Sequence, residues 1–164
     1  MSPIIRPATL ADHPRILEIW HPVYRDTTIT FASVEKTPET LVTYIDSRRA
    51  AGREFFVAEV DGQVLGFATY DQFRGGDGYA WAMEHTIILS PEGRGHGLGR
   101  ALMGAVEDHA RAAGAHVMIA GVSGENPVGV AFHAAVGYEE TGRMPQVGRK
   151  FDRWLELVLM QKFL

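Results

Sequence analysis

The stretch that constrains the chain most is Arg94-Gly95-His96-Gly97-Leu98-Gly99, a glycine-dense turn between an apolar run and an amphipathic one. Upstream, Met83 to Leu89 (Met-Glu-His-Thr-Ile-Ile-Leu) is rich in β-branched and apolar residues and reads as a buried strand. Downstream, Leu98, Ala101, Leu102, Ala105, Val106, Ala110 and Ala113 recur at helical spacing, and Gly114 supplies a stop. A strand, a glycine loop and a helix start in that order can hold an anionic group. N–H groups unobstructed by Cβ atoms converge there, and the helix dipole favours negative charge. Taken alone, the same residues also suit an ordinary tight turn. Two other phosphate motifs are excluded. A P-loop needs Lys-Ser/Thr after its last glycine, where this chain has Arg100-Ala101, and the dinucleotide pattern fails from Gly95 at Arg100 and from Gly93 at Leu98.

The rest of the chain supplies context. Ile4 to Pro7 is a short candidate strand, and Thr9-x-x-Asp12 starts a helix whose face (Ile16, Leu17, Trp20) is predicted to stop at His21-Pro22. Tyr24 to Lys36 has no clean period and reads as a loop. Thr37-Pro38 is an N-cap and first-turn pair, followed by Leu41, Tyr44, Ile45 and Arg48 on one face, with a stop at Gly52. Glu54 to Val60 and Gln63 to Tyr70 read as strands joined at Asp61-Gly62, a strong hairpin signal. The glycine-rich stretch Asp71 to Gly78 precedes a strand predicted over Tyr79 to Leu89. Beyond the central loop and helix come a strand over Ala115 to Val122, a helix from Asn126-Pro127 to Gly137, and strands over Tyr138 to Arg143 and Trp154 to Phe163. The order β-αα-β-β-β-α-β-α-β-β, with no repeat or linker, predicts one α/β (α+β) domain over residues 1–164, a mixed sheet with helices on its faces.

Composition narrows the function classes. The net charge of −4 argues against a dominant nucleic-acid surface. The absence of cysteine excludes disulfides, thiolate metal sites and a cysteine acyl-enzyme. The seven histidines include no His-Glu-x-x-His pattern, so no metal is expected. No run approaches ~18 apolar residues and the start lacks a signal-peptide core, which predicts a cytoplasmic protein without a membrane partner.

Arg94 through Gly99, in the pattern Arg-x-x-Gly-x-Gly after the fourth strand, resembles the pyrophosphate loop of the GNAT acyltransferase superfamily, and the element order resembles that fold over the whole chain. Four stretches resemble the phosphinothricin and methionine sulfone/sulfoximine N-acetyltransferases: Thr27-Thr28-Ile29-Thr30-Phe31; Glu84-His85-Thr86 with the glycine loop; Gly124-Glu125-Asn126-Pro127 through Phe132-His133 to Gly137-Tyr138; and Val147-Gly148-Arg149-Lys150-Phe151 through Trp154. The resemblance implies a sheet of about seven strands with about four helices, acetyl-CoA as cosubstrate, a small amino-acid-like acceptor acetylated on its α-amine, and a homodimer. The sequence departs from that pattern at His21, Ala80, Ala82 and Asp152, which are expected near the acceptor pocket.

The chemistry requires a neutral amine, hence a base. Alternation along the fourth strand places Trp81, Met83, His85, Ile87 and Leu89 on one face and Ala80, Ala82, Glu84, Thr86 and Ile88 on the other. Glu84 among such neighbours is the candidate base; the alternative is a salt-bridged strand glutamate. His85 is expected to pack or to line the substrate. Around the loop, N–H groups of Arg94, Gly95, His96, Gly97, Leu98 and Gly99 are the candidate phosphate donors, with charge from Arg94 or Arg100. The resemblance adds the backbone of Ile87, Ile88 and Leu89 for the pantetheine arm, Asn126 for the cofactor, and His133 as a general acid or cofactor contact. It also adds Arg74, beside Phe73, for the acceptor carboxylate. Tyr24 and Phe31 are candidate pocket walls. Without cysteine, direct attack in a ternary complex is expected. An acetyltransferase for protein N-termini or polyamines, or a non-catalytic acyl-CoA-binding module, are the other functions such a chain can serve.

Overall fold

In the computed structural model, which describes residues 2–164, the amphipathic segments and apolar runs form four α-helices and seven strands. The strands are β1 (Ile4–Pro7), β2 (Phe55–Val60), β3 (Gln63–Gln72), β4 (Ala82–Leu89), β5 (Val117–Ser123), β6 (Glu139–Lys150) and β7 (Arg153–Phe163). They form one sheet in the order β1-β2-β3-β4-β5-β7-β6. Neighbours are antiparallel except β4 and β5, which are parallel. The helices are α1 (His13–Asp26), α2 (Pro38–Ala50), α3 (Leu98–Ala112) and α4 (Pro127–Ala135). None of them is long and apolar enough to cross a membrane.

Two cores form, one on each face of the sheet. Helices α1 and α2 bury Ile16, Trp20, Leu41 and Ile45 against Phe55, Phe67 and Ile88. Helix α3 buries Leu98, Leu102 and Val106 on the other face, against Tyr70, Met83 and Met118. Alternation along β4 is therefore real: Ile88 joins the α1–α2 core, while Met83, Ile87 and Leu89 join the other.

Four boundaries differ from the sequence expectation. Helix α1 runs through Pro22 to Asp26, so Tyr24 is helical rather than in a loop. A proline inside a helix removes one hydrogen bond, but Val23 and Tyr24 continue the buried face begun by Ile16 and Trp20, and their burial offsets that loss. Strand β4 starts at Ala82. Residues Asp77–Tyr79 form a short helical turn, and Trp81 is 60% exposed, because Gly75, Gly76 and Gly78 favour turning over pairing. Strand β5 is shifted to Val117–Ser123. Strand β6 continues past Arg143 to Lys150, although it contains Pro145. It lies at the sheet edge, where a missing N–H is tolerated, and its pairing with β7 is irregular between Met144 and Gly148.

Candidate active site

The sheet opens at its centre. Strands β4 and β5 pair only from Ala82 with Val117 to Glu84 with Ile119, yet β4 runs on to Leu89 and β5 to Ser123. Past Glu84 the facing edges of the two strands are unpaired with each other, which leaves a cleft with backbone donors and acceptors on its walls. A cavity of about 440 Å³ occupies this opening, lined by Ile87, Ile88, Leu89, Arg94, Gly95 and Asn126 among others. A second space of about 240 Å³ adjoins it, sharing Ile29, Ile87, Ile88, Asn126 and His133, and adding Trp20, Tyr24, Lys36, Tyr44, Thr86 and Gly121.

At the mouth of the larger cavity, Gly95 and Gly97 adopt φ of 78° and 77°, a left-handed backbone that strains any residue with a Cβ. Both have open space where a Cβ would stand. Gly97 caps the fifteen-residue α3, so the loop's N–H groups and the positive end of the helix dipole meet there. Arg94 and Gly95 line the cavity. His96 and Arg100 are exposed, and Arg100 donates to the carbonyl of Ala135 (3.2 Å). On the opposite lip, Asn126 is the N-cap of α4: its Oδ1 accepts from the Gly129 N–H (3.0 Å). The cap leaves its side chain on the wall of both cavities.

Glu84 stands at the point where β4 and β5 part. Among the described residues it makes no hydrogen bond or ion pair, and burial pushes its carboxyl above the usual carboxylate range. Its Oε2 would lie 2.9 Å from a Cβ placed on Gly121, so the carboxylate sits over that glycine, which lines the smaller cavity. Asp71, opposite Glu84 in the β3–β4 register, instead draws the cations Arg48 (3.5 Å) and Arg53 (3.3 Å).

His85 points to the other face and is buried against His133, with ring centroids 5.0 Å apart and Nε2 atoms 3.2 Å apart. His133 Nδ1 donates to the Gly129 carbonyl (2.7 Å), because a carbonyl only accepts. Neutral His133 therefore accepts at Nε2, and His85 donates from its own Nε2. The His85 Nδ1 is left buried without a partner. Burial, and secondarily the neighbouring His133, push His85 down to about 3; burial also lowers His133. Both rings are neutral near pH 7.

The segment Thr27–Phe31 lies over the opening, with Ile29 lining both cavities. Thr28 Oγ1 donates to Glu125 (2.9 Å), which is itself ion-paired with Arg153. The phenyl ring of Phe31 packs on Gly148, where a Cβ would come within 2.3 Å of it. Lys150, 5% exposed, donates to the carbonyl of Thr30 (3.0 Å). Phe31 is thus an anchor of this segment, outside the lining of either cavity. Tyr24 lines the smaller cavity. Phe73 and Arg74 line neither cavity, and the Arg74 guanidinium is 5.4 Å from the Tyr79 ring. Of the four departures from the family pattern, Ala80 is exposed in the turn before β4, and Ala82 accepts from the Phe73 N–H (2.9 Å). Asp152 occupies a hairpin turn at φ 58°, a conformation that glycine or asparagine also adopts readily. Only His21 bears on the pocket: its Nε2 donates to the carbonyl of Lys36 (2.8 Å). Lys36 and Trp20 were not among the sequence-derived site residues. No local pattern marks them, because they meet through the packing of α1 against α2. Among the described residues no group of three His, Cys, Asp or Glu side chains is placed to hold a metal ion.

A sheet split beside a glycine-capped helix start, with an unpaired carboxylate at the fork, defines an acyl-CoA-type transferase architecture. The chain belongs to the acetyltransferase (GNAT) family, whose model matches residues 15–138, and it is an acyltransferase. It is 39% identical to an L-methionine sulfoximine/L-methionine sulfone acetyltransferase of Pseudomonas aeruginosa, over 98% of this chain and 94% of that protein. Among solved structures, it superimposes with TM-score 0.94 on a phosphinothricin acetyltransferase from Sinorhizobium meliloti in complex with acetyl-CoA (32% identity, 100% of this chain, 89% of that one). A ribosomal-protein-alanine N-acetyltransferase from Brucella melitensis gives TM-score 0.94 at 37% identity, over 98% and 99% of the two chains.

Proposed function

We propose that this chain transfers an acetyl group from acetyl-CoA to the α-amine of a small amino acid or analogue, of the methionine sulfone, methionine sulfoximine or phosphinothricin type. The observation that carries the proposal is the fork between β4 and β5, with the glycine loop at its mouth and Glu84 at its apex. The loop fits a pyrophosphate: two left-handed glycines free of Cβ atoms face open space at the start of a long helix. N–H groups from Arg94 to Gly99 hold the anion, and Arg94 and Arg100 add charge. The free edge of Ile87, Ile88 and Leu89 pairs with the amides of the pantetheine arm as an added strand would, and Asn126 contacts it from the other lip.

Acetyl-CoA supplies a thioester carbonyl open to attack. Glu84, raised by burial and free of partners, takes the proton from the acceptor ammonium directly or through one water. The neutral nitrogen then attacks, the new C–N bond forms and the C–S bond breaks; the proton shed by the nitrogen goes to the departing sulfur, which gives the amide and the free thiol. With no cysteine in the chain to carry an acyl group, attack is direct in a ternary complex. His133 serves as a cofactor contact rather than as an acid, since its single ring proton is held by Gly129 and its Nε2 faces His85. The chain acts as one cytoplasmic domain, paired with a second copy. The exposed apolar side chains of Met144, Val147 and Trp154 on the β6–β7 hairpin support such a pairing.

Thiol release with acetyl-CoA and a panel of acceptors tests the proposal. The panel includes phosphinothricin, methionine sulfone, methionine sulfoximine, ordinary amino acids, polyamines and alanyl peptides. The expected result is saturable release with free amino acids or their analogues and intersecting initial-rate patterns. Parallel patterns contradict direct attack. Tight acetyl-CoA binding with no release to any acceptor identifies a binding module. The likeness to the Brucella protein supports a second reading, a protein N-terminus as acceptor, and release with peptides alone would favour it.

A further inference from the structure

The smaller cavity, lined from both faces of β4, carries on its α1–α2 side one ammonium among aromatic rings. Lys36 Nζ lies 4.6 Å from the ring centroid of Trp20, 4.4 Å from that of Tyr44 and 5.3 Å from that of Tyr24. It donates to the Tyr24 hydroxyl at 2.9 Å. Among the described residues it forms no ion pair, so two of its three N–H donors have no side-chain acceptor. Burial, and secondarily Arg48, lower its proton affinity. A half-buried ammonium without a counter-ion is costly, and the cavity it lines has room for one.

The lysine is held rather than loose. Its carbonyl accepts from His21, and the next residue, Thr37, caps α2 by accepting from the Thr40 N–H (3.1 Å). Trp20 and Tyr24 belong to α1 and Tyr44 to α2, so the rings are fixed by the core beneath them. The cavity reaches Gly121 and Thr86, with the Glu84 carboxylate over Gly121. A cation on the wall and a free carboxylate over Gly121, itself part of the wall, match a molecule that carries both an anion and an amine.

We propose that Lys36 is the group that binds the acceptor's carboxylate. Nζ, with the Tyr24 hydroxyl as a second donor, fixes the carboxylate, and the α-amine is thereby aimed at Glu84. His21 acts as a positioning residue for Lys36. The inference rests on the amino-acid reading of the site, and it transfers the carboxylate role from Arg74, which lines neither cavity.

The test uses Lys36→Met and Lys36→Arg, with Arg74→Met for comparison. Each is assayed with the amino acid that the wild type acetylates fastest and with the carboxamide of that amino acid. Lys36→Met is expected to raise KM for the acid about tenfold or more, the effect of losing a charged hydrogen bond. The same variant should leave kcat and the kinetics of the carboxamide near wild type. Lys36→Arg should restore most of the loss, and acetyl-CoA binding measured by calorimetry should match wild type, which also reports a folded protein. An unchanged KM in Lys36→Met, an equal loss for acid and carboxamide, or a selective loss in Arg74→Met alone overturns the assignment. If the wild type acetylates no amino acid, the amino-acid reading itself fails and the assignment falls with it; any other failure leaves wild-type turnover intact.

Discussion

At the scale of single residues, Glu84 is the side chain whose role depends most on what does not touch it. Strand periodicity already puts it on the face opposite His85 and predicts a desolvated carboxyl. Its freedom from partners could not be read from the chain, because the neighbouring cations come from elsewhere: Arg48 on α2 and Arg53 beyond it both engage Asp71. Glu84→Gln is expected to lower kcat by roughly 10²–10³-fold, the usual worth of a positioned base, with acetyl-CoA affinity unchanged in calorimetry. The proposed base works deprotonated, so under this mechanism the rate falls as pH drops through the Glu84 pKa, and burial moves that limb upward. The limb should vanish in Glu84→Gln; a pH profile of kcat/KM that keeps it would assign the titration to another group. The histidine pair shows the converse. Its residues were visible in the sequence, but its tautomers follow only from Gly129 and the 3.2 Å contact across β4 and α4.

Among the elements, the β6–β7 hairpin differs most from its sequence. Gly142, Pro145 and Gly148 hide its alternation, and periodicity alone therefore ends β6 near Arg143. The structure gives those residues work: Gly148 makes room for the Phe31 ring, and Lys150 takes the Thr30 carbonyl. The hairpin and the Thr27–Phe31 segment, far apart in the chain, are thus one device that covers the cleft. Lys150→Met keeps the volume but removes the donor, leaving a partly buried carbonyl without its partner at a cost of about 1–3 kcal/mol. The melting temperature should fall, amides of residues 27–31 should exchange faster with solvent, and acceptor KM should rise while acetyl-CoA affinity holds. Unchanged exchange in that segment would separate the hairpin from the cover.

For the molecule as a whole, stability and site draw on different regions. Arg6 on β1 grips Asp12 through both oxygens (2.7 and 2.8 Å) and reaches Glu59 on β2 (2.9 Å), tying the first strand, the entry to α1 and the sheet edge together. The Arg6 bonds, with help from Thr9, hold the Asp12 carboxyl down at about 2. Asp12 is buried, and the shift corresponds to roughly 2 kcal/mol of folding stability. A depressed carboxyl contributes fully above its unfolded pKa of about 4 and loses that contribution as pH falls toward 2. Urea unfolding of Asp12→Asn should therefore show a large deficit against wild type at pH 7 that closes by pH 2; a deficit independent of pH would make the role one of packing. This network is remote from the cleft, so turnover of the folded variant at pH 7 should be retained.

The sequence by itself determined the order of elements, the strand–glycine loop–helix unit, the face that Glu84 occupies and the family. The first three follow from short-range rules: alternation, helical spacing, and the backbone angles that only certain residues accept. The family follows from the resemblance of the glycine loop and the stretches around it. Tertiary structure alone decided that β4 and β5 part after Glu84, that Arg74 is not among the residues lining the two cavities, and that Lys36 meets Trp20, Tyr24 and Tyr44. Those facts depend on how α1 and α2 pack against one sheet face and on where strand pairing stops. Such long-range contacts are fixed by the burial of whole surfaces, and no local pattern encodes them.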